Sequence, residues 1–392
     1  MIDLIKEVLV HRHPFGNYTN NSVSGEVVKA YVPNTLPPNP PLEMAALYSL
    51  LGQANLAIGR LDGISINVPD ISLFLYMNIR KEAVLSSQIE GTQSTLTDLL
   101  MYENNEAIGV QIDDVVEVSN YVAAMNHGLK RIAGGFPLCL RLIREMHEIL
   151  LSDGRGRTKQ PGVFRTSQNW IGGTRPGNAS FVPPPWENIA DLLSNLESFW
   201  NVENGSSPTL LKAGLAHFQF ETIHPFLDGN GRLGRLLITL ILCVDGVLAQ
   251  PLLYLSLYFK VNRKSYYEHL QCTRETDDLE EWLSFFLKGV IYTAEQAVKK
   301  IQQTLALLEK DRQAIQGIGK SARSALIIHD LMKKIPIADA SRIVSISGLT
   351  LPTVNYSIKN LIQLGIVSEL TGKARNKIYK YTQYLDILSD GI

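Results

Sequence analysis

Twelve consecutive residues, His224-Pro225-Phe226-Leu227-Asp228-Gly229-Asn230-Gly231-Arg232-Leu233-Gly234-Arg235, gather a titratable base, a hard-cation ligand, a glycine-framed turn and two guanidiniums. An imidazole, with an ordinary pKa of about 6.5, can take a proton from a hydroxyl at neutral pH. Pro225 biases His224 out of helical φ/ψ and so ends the helix before it. Phe226, the one large aromatic among polar neighbours, anchors the loop in the core. Asp228 offers the carboxylate oxygen that Mg2+ takes beside phosphate oxygens. Gly229 and Gly231 let the backbone turn its amides towards one anion. Arg232 and Arg235 lie three apart on one side of the next helix, and each can grip phosphate oxygens bidentately. Singly, a His at a helix end is a cap and Asp-Gly-Asn-Gly is a turn. Placed together just ahead of the apolar run Leu236–Val244, they make an anion site at the N-terminus of a buried helix.

In this order the residues resemble the active-site motif of the Fic family, His-Pro-Phe-x-Asp-Gly-Asn-Gly-Arg-x-x-Arg, at every fixed position. The resemblance implies a protein adenylyltransferase that moves AMP from Mg·ATP to a Ser, Thr or Tyr hydroxyl of a target protein. It makes His224 the general base and Asp228 the Mg2+ ligand. Arg232 and the Gly229–Asn230–Gly231 backbone then surround the α- and β-phosphates, and Arg235 takes the γ-phosphate. It extends the nucleotide contacts to Leu233 and Gly234, and to Asn262 and Tyr266, beside Tyr267, in the adenine and ribose pocket. ATP and Mg2+ are the implied cofactors. Other members transfer UMP, GMP or phosphocholine, so the choice of AMP rests on the resemblance alone. The related Doc kinases carry a lysine where this chain has Gly231.

Ser86-Ser87-Gln88-Ile89-Glu90-Gly91 fits the same family's inhibitory signature, Ser/Thr-x-x-x-Glu followed by Gly or Asn. Leu73–Leu85 is rich in helix formers, and Gly91 suits the C′ position. Glu90 therefore falls at a helix C-terminus, where the macrodipole disfavours a carboxylate by about 0.3–1 kcal/mol. The resemblance pairs Glu90 with Arg235, occupying the guanidinium that the γ-phosphate needs. A charge-assisted bond of about 1.5–3 kcal/mol corresponds to roughly ten- to 150-fold suppression. The signature lies upstream in the same chain, so the resemblance implies autoinhibition without a separate antitoxin subunit. It leaves open whether the same glutamate also serves AMP removal.

The elements that must position this chemistry follow from punctuation and periodicity. Tyr31–Leu42 is proline-rich and extended, and feeds a helix over Glu43–Ile58. Further helices are predicted at Val115–Ile132, Pro137–Leu151, Trp186–Val202, Pro208–Thr222, Arg263–Thr273 and Leu279–Val298, the last continuing to Ile315. Between Pro161-Gly162-Val163-Phe164-Arg165 and Phe181-Val182-Pro183, a turn from Gly172-Gly173 to Gly177-Asn178 reads as a short hairpin, which the resemblance makes a flap aligning the target by main-chain pairing. Strand signals are otherwise sparse before residue 320. The expected fold class is mainly α: an all-α bundle with one β-hairpin flap, plus a C-terminal winged helix-turn-helix domain.

That last domain rests on helices at Ala322–Met332, Ala338–Val344 and Pro352–Leu364, a turn at Ser347-Gly348-Leu349, and alternating strands at Gly365–Val367 and Lys377–Tyr381 around a Thr371–Asn376 turn. Residues 320–380 carry ten Lys/Arg against three Asp/Glu. This basic bias, with Thr353, Asn355, Tyr356 and Lys359 on the third helix, suits DNA contact; protein docking is the other use of such a module. Ala314–Ser321 imitates a phosphate loop but follows a charged amphipathic helix rather than a strand, so Gly317–Gly319 is read as a linker. The expected segmentation is 1–112, an N-terminal region with the inhibitory helix; 113–290, the catalytic core; 291–319, a linker helix; and 320–392, the winged helix domain.

Over 392 residues the net charge is −1 and the apolar fraction 45%, an ordinary globular composition. Cys139, Cys243 and Cys272 show no metal-ligand spacing, Met1–Lys6 lacks a signal-peptide pattern, and no apolar stretch spans a bilayer. A cytoplasmic protein without membrane contact is expected, and the resemblance admits a homodimer. The competing function class is a nucleotide-sensing DNA-binding regulator acting through the winged helix; such a sensor has no need of His224.

Overall fold

The computed structural model describes residues 15–23, 25–66, 71–103, 112–202, 207–372 and 377–390. Met1–Lys6 and the turn residues 373–376, on which expectations were placed above, lie outside the described residues. An antiparallel hairpin comes first, β1 (Gly16–Val23) and β2 (Glu26–Pro33), in register from Gly16 opposite Pro33 to Val23 opposite Glu26. This corrects the expectation of a main body whose one hairpin is the flap. β2 alternates, with Val28 and Ala30 inward and Val27 and Lys29 outward, but β1 is mostly Asn, Ser and Thr and hides the period.

Helices follow in order: α1 (Met44–Ile66), α2 (Ile71–Ile89), α3 (Leu96–Tyr102), α4 (Ile112–Ala133), α5 (Leu140–Leu150), α6 (Ile189–Trp200), α7 (Thr209–Ile223), α8 (Asn230–Val244), α9 (Ser256–Val261), α10 (Arg263–Thr276) and α11 (Leu279–Gln316). α3 opens with a capping box: Thr95 Oγ1 accepts from Asp98 N–H at 3.2 Å and Asp98 Oδ2 accepts from Thr95 N–H at 2.8 Å. α11 runs unbroken past residue 291, so the expected linker helix is continuous with the helix before it. Gly317 and Ile318 form the turn after it. The C-terminal elements are α12 (Ala322–Lys334), β3 (Ile337–Asp339), α13 (Ala340–Ser347), α14 (Leu351–Gln363), β4 (Val367–Glu369), β5 (Ile378–Tyr381) and α15 (Thr382–Ser389). Gly348, in the left-handed conformation, stops α13, and the three strands make one antiparallel sheet in the order β3-β5-β4.

The chain divides into two compact units. One comprises Met1–Leu56, Ala123–Ala249 and Val261–Ile291; the other comprises Ala57–Val122, Gln250–Lys260 and Tyr292–Ile392. The first is built around α7, buried at every residue from Leu210 to Ile223. Trp282 crosses it, donating from Nε1 to the Gly214 carbonyl at 2.9 Å. Its partner α8 is buried from Arg232 through Leu242. In the second unit, α2 buries Ala83, Val84 and Leu85, while the C-terminal sheet and helices enclose Ile328, Ile337, Ile343, Val354 and Tyr381. Among the described residues no helix is long and apolar enough to cross a membrane.

Candidate active site

The loop between α7 and α8 opens on a strained residue. His224 adopts φ 49° and ψ 60°, left-handed, while its N–H still bonds the Phe220 carbonyl at 2.9 Å. A non-glycine residue held there costs about 1–3 kcal/mol and needs surroundings that enforce it. Arg165 Nε donates to the His224 carbonyl at 2.9 Å, and Asn169 Nδ2 reaches the same oxygen at 3.4 Å.

Phe226 plugs the core as expected, 0% exposed. Its N–H donates to Asn230 Oδ1 at 2.8 Å, and its carbonyl accepts from Asn230 Nδ2 and from Asn169 Nδ2, both at 2.9 Å. The Asn230 side chain therefore closes the loop on itself, and only its backbone can face an anion. The Phe226 ring stacks on His147, with centroids 3.7 Å apart and planes 11° off parallel. His147 Nδ1 accepts the Gly162 N–H at 2.8 Å, so the ring proton sits on Nε2 and is donated to the Asp228 carbonyl at 3.0 Å. Burial pushes the His147 pKa down to about 4, which keeps this neutral tautomer at physiological pH.

Gly229 caps α8 at φ 76°, the conformation for which glycine is suited, and its N–H donates to Asp228 Oδ1 at 2.6 Å. Arg232 Nη2 lies 3.5 Å from that oxygen; the carboxylate is 40% exposed while the guanidinium is 6% exposed. Asn230, Gly231 and Arg232 form the first turn of α8, where backbone amides point out of the helix N-terminus. Two buried guanidiniums, Arg232 and Arg235, share this first turn and a half. Leu233 is wholly buried, and Gly234 faces α7: a Cβ there would meet Glu221 Oε1 at 2.5 Å and Phe220 Cδ1 at 3.2 Å. Both positions pack between α8 and its neighbours.

Asn262 is the residue before α10, and its carbonyl accepts the Tyr266 N–H at 2.8 Å. Tyr266 is a core residue, 1% exposed, with its hydroxyl 2.9 Å from His217 Nε2 and its ring against Trp282. Its neighbour Tyr267 faces out, lining with Arg263, Lys264, Glu268 and Gln271 an open depression of about 560 Å³.

The flap is less regular than the hairpin expected. Only Ile171 and Phe181 form a β-bridge, and Pro176–Asn178 is a 3-10 turn, because glycines and prolines break the ladder on both arms. It is braced instead on β1–β2. Tyr31 N–H donates to the Val182 carbonyl at 2.9 Å, Arg175 pairs with Glu26 at 2.9 Å, and Asn21 Nδ2 donates to Gln168 Oε1 at 2.9 Å.

Ser86–Gly91 lies in the other unit. α2 ends in a Schellman motif: Thr92 N–H bonds the Ser87 carbonyl at 3.3 Å, Gly91 N–H bonds the Gln88 carbonyl at 3.1 Å, and Gly91 has φ 105°. Ser86 is fully buried and Glu90, at the C-cap, is exposed. The same helix is moored by buried polar groups. Glu82 accepts from Tyr121 Oη at 3.2 Å and from Ser256, Arg80 pairs with Glu103 at 2.9 Å, and Lys81 Nζ donates to the Asp390 carbonyl at 3.2 Å.

Arg165, Asn169 and His147 were not singled out as site residues by the sequence reading. His147 shares an apolar stripe with Ile143, Met146 and Leu150, and nothing local sets it apart from a core histidine.

Residues 48–130 match the family profile described as the Fic/DOC family N-terminal region, and residues 137–242 that of the Fic/DOC family. The protein adenylyltransferase Fic of Drosophila virilis is 32% identical over 192 residues, covering 48% of this chain and 36% of its own. That of Drosophila yakuba is 28% identical over 261 residues, covering 61% and 50%. The chain thus spans about a third to a half of the length of these curated relatives. In fold it is similar to a Fic family protein from Desulfovibrio desulfuricans G20, with a TM-score of 0.56 at 21% identity over 88% of this chain and 98% of that one. Fic-1 (residues 134–508) from C. elegans gives 0.50 at 20% identity over 66% and 74%.

Proposed function

We propose that this chain, which carries the N-terminal and Fic domains of the Fic/DOC family, is an autoinhibited adenylyltransferase that moves AMP from Mg·ATP to a Ser, Thr or Tyr hydroxyl of a protein target. The observation that carries this reading is the loop itself: a strained histidine, a half-exposed carboxylate and two buried guanidiniums around the N-terminus of α8.

In this reaction the target's hydroxyl oxygen bonds the α-phosphorus, the bond from that phosphorus to the bridging α–β oxygen breaks, and pyrophosphate leaves. His224 accepts the hydroxyl proton. The first-turn amides of α8 and the Arg232 guanidinium oppose the charge that develops on the phosphates, and Arg235 takes the γ-phosphate. A single exposed carboxylate fits Mg2+ held mainly by nucleotide oxygens, so Asp228 would be its protein ligand. The ion would supply neutralisation of the phosphate charge. Among the described residues no three His, Cys, Asp or Glu cluster as a cage for a metal. The flap would align an extended target segment over the loop by main-chain pairing.

Glu90, at the end of α2, would restrain the enzyme by competing with the γ-phosphate for Arg235. The winged helix reading of the C-terminal elements is supported by α14, which buries Val354, Ile358 and Leu361 and exposes Asn355, Tyr356 and Lys359. That face supports a second reading, a nucleotide-sensing regulator that holds duplex DNA. Three cysteines without disulfides suit a cytoplasmic setting. The deciding experiment is intact mass of the Glu90→Gly protein after incubation with Mg·ATP, beside the parent and a Glu90→Gly/His224→Ala double variant. A gain of AMP in the Glu90→Gly sample alone supports transfer, base and restraint together. No gain in any sample, with tight binding of the full chain to a specific duplex, favours the regulator.

A further inference from the structure

Arg165 is 2% exposed, and each of its polar contacts is a main-chain carbonyl. Nη1 donates to Ser167 at 3.1 Å, and Nη2 donates to Pro184 at 2.6 Å and to Ile223 at 3.3 Å. Nε donates to His224 at 2.9 Å, and its own N–H meets the Pro225 carbonyl at 2.9 Å. Burial lowers its pKa to about 10, a shift the nearby Glu187 charge opposes, and it stays charged at neutral pH.

The identity of the four carbonyls matters more than their number. Ser167 and Pro184 are the two roots of the flap, while Ile223 and His224 are the last residue of α7 and the candidate base. One planar fork therefore spans both arms of the flap and the base. Lysine, with a single ammonium, cannot span all four directions. Burying a guanidinium among neutral carbonyls is a costly way to brace a loop that an apolar side chain could fill, so its geometry suits a part that must hold fixed positions.

We infer that Arg165 is a positioning residue: it sets the flap, and hence the target segment lying under it, in register with His224. The inference rests on the adenylyltransferase reading and adds to it the part that couples target docking to the base. It separates two fates of the same nucleotide. Transfer to a protein hydroxyl needs flap and base aligned; attack by water needs the base alone. Loss of Arg165 should therefore lower transfer more than hydrolysis. It should leave ATP affinity unchanged, because the α8 amides and Arg232 do not touch Arg165.

The test uses the full chain carrying Glu90→Gly, alone and with Arg165→Lys or Arg165→Gln. In one reaction with Mg·ATP, AMP bound to the protein is read by intact mass and AMP released to water by chromatography, with ATP affinity and melting temperature measured alongside. The expected result is a transfer-to-hydrolysis ratio lowered tenfold or more in both variants, at unchanged ATP affinity. Equal proportional losses of both products, or an unchanged ratio, overturn the inference while leaving the function standing. A Glu90→Gly parent that takes up no AMP overturns the function, and the inference with it. Should neither Arg165 variant fold, Asn169→Ala decides. It removes the second donor to the His224 carbonyl and should lower the ratio about threefold; an unchanged ratio overturns the inference.

Discussion

His224 combines two properties that seldom meet in one residue, an imidazole side chain and a backbone held left-handed against its preference. Arg165 and Asn169 hold its carbonyl, so replacing the ring leaves the loop's anchors in place. His224→Ala should lower AMP transfer by about 10²–10⁴-fold while ATP affinity stays within about twofold; initial rates and isothermal titration check this, and near-parent transfer would remove the base from the mechanism. Gly234 is a different case. It matches the motif's spacing, yet the structure presses it against Glu221 and Phe220. Gly234→Ala should cost about 1–3 kcal/mol through overpacking between α7 and α8, read as a lowered urea midpoint. An unchanged midpoint would mean that Glu221 moves aside freely.

At the scale of elements, the end of α2 is set by the Schellman motif rather than by Glu90, whose side chain stands exposed at the C-cap. Removing that carboxylate therefore spares the motif and relieves the macrodipole. Glu90→Gly should raise AMP transfer tenfold or more. Equal rates in variant and parent would refute the restraint. The flap shows how an element expected to be regular obtains order from elsewhere. With one bridge of its own, it relies on β2, on the Glu26–Arg175 pair and on the carbonyls held by Arg165.

For the whole molecule, the buried histidines set the response to acid. In the second unit, Tyr381 Oη donates to Asp311 at 2.7 Å and so accepts from His329 Nε2 at 2.9 Å. Burial lowers the pKa of His329 to about 4. The unfolded chain, with a histidine pKa near its ordinary value, then binds more protons than the folded one between about pH 6.5 and 4. Its contribution is fully present above about 6.5 and falls by roughly 3 kcal/mol as pH drops through that window. Urea unfolding of the parent and of His329→Gln at pH 7 and pH 4.5 should give a smaller acid loss for the variant. Parallel losses would show that His329 does not titrate in that window.

The turn and helix start of the 224–235 loop were legible in sequence because its polar groups lie within twelve residues, where order alone sets who neighbours whom. The longer helices were legible through their apolar period, whereas the short α3, α9 and α15 offered too few turns to show one; Gly91 and Gly348 were legible through the left-handed conformation that few other residues tolerate. The tertiary structure alone decided what holds the loop: Arg165 is 59 residues from His224, and His147 is 81 from Asp228. It also decided that Tyr266 is core and Tyr267 surface, and that a polar strand pairs with β2. Spacing encodes contacts only along one element. A guanidinium bonded to carbonyls leaves no mark on those partners' side chains, so only folding reveals the bond.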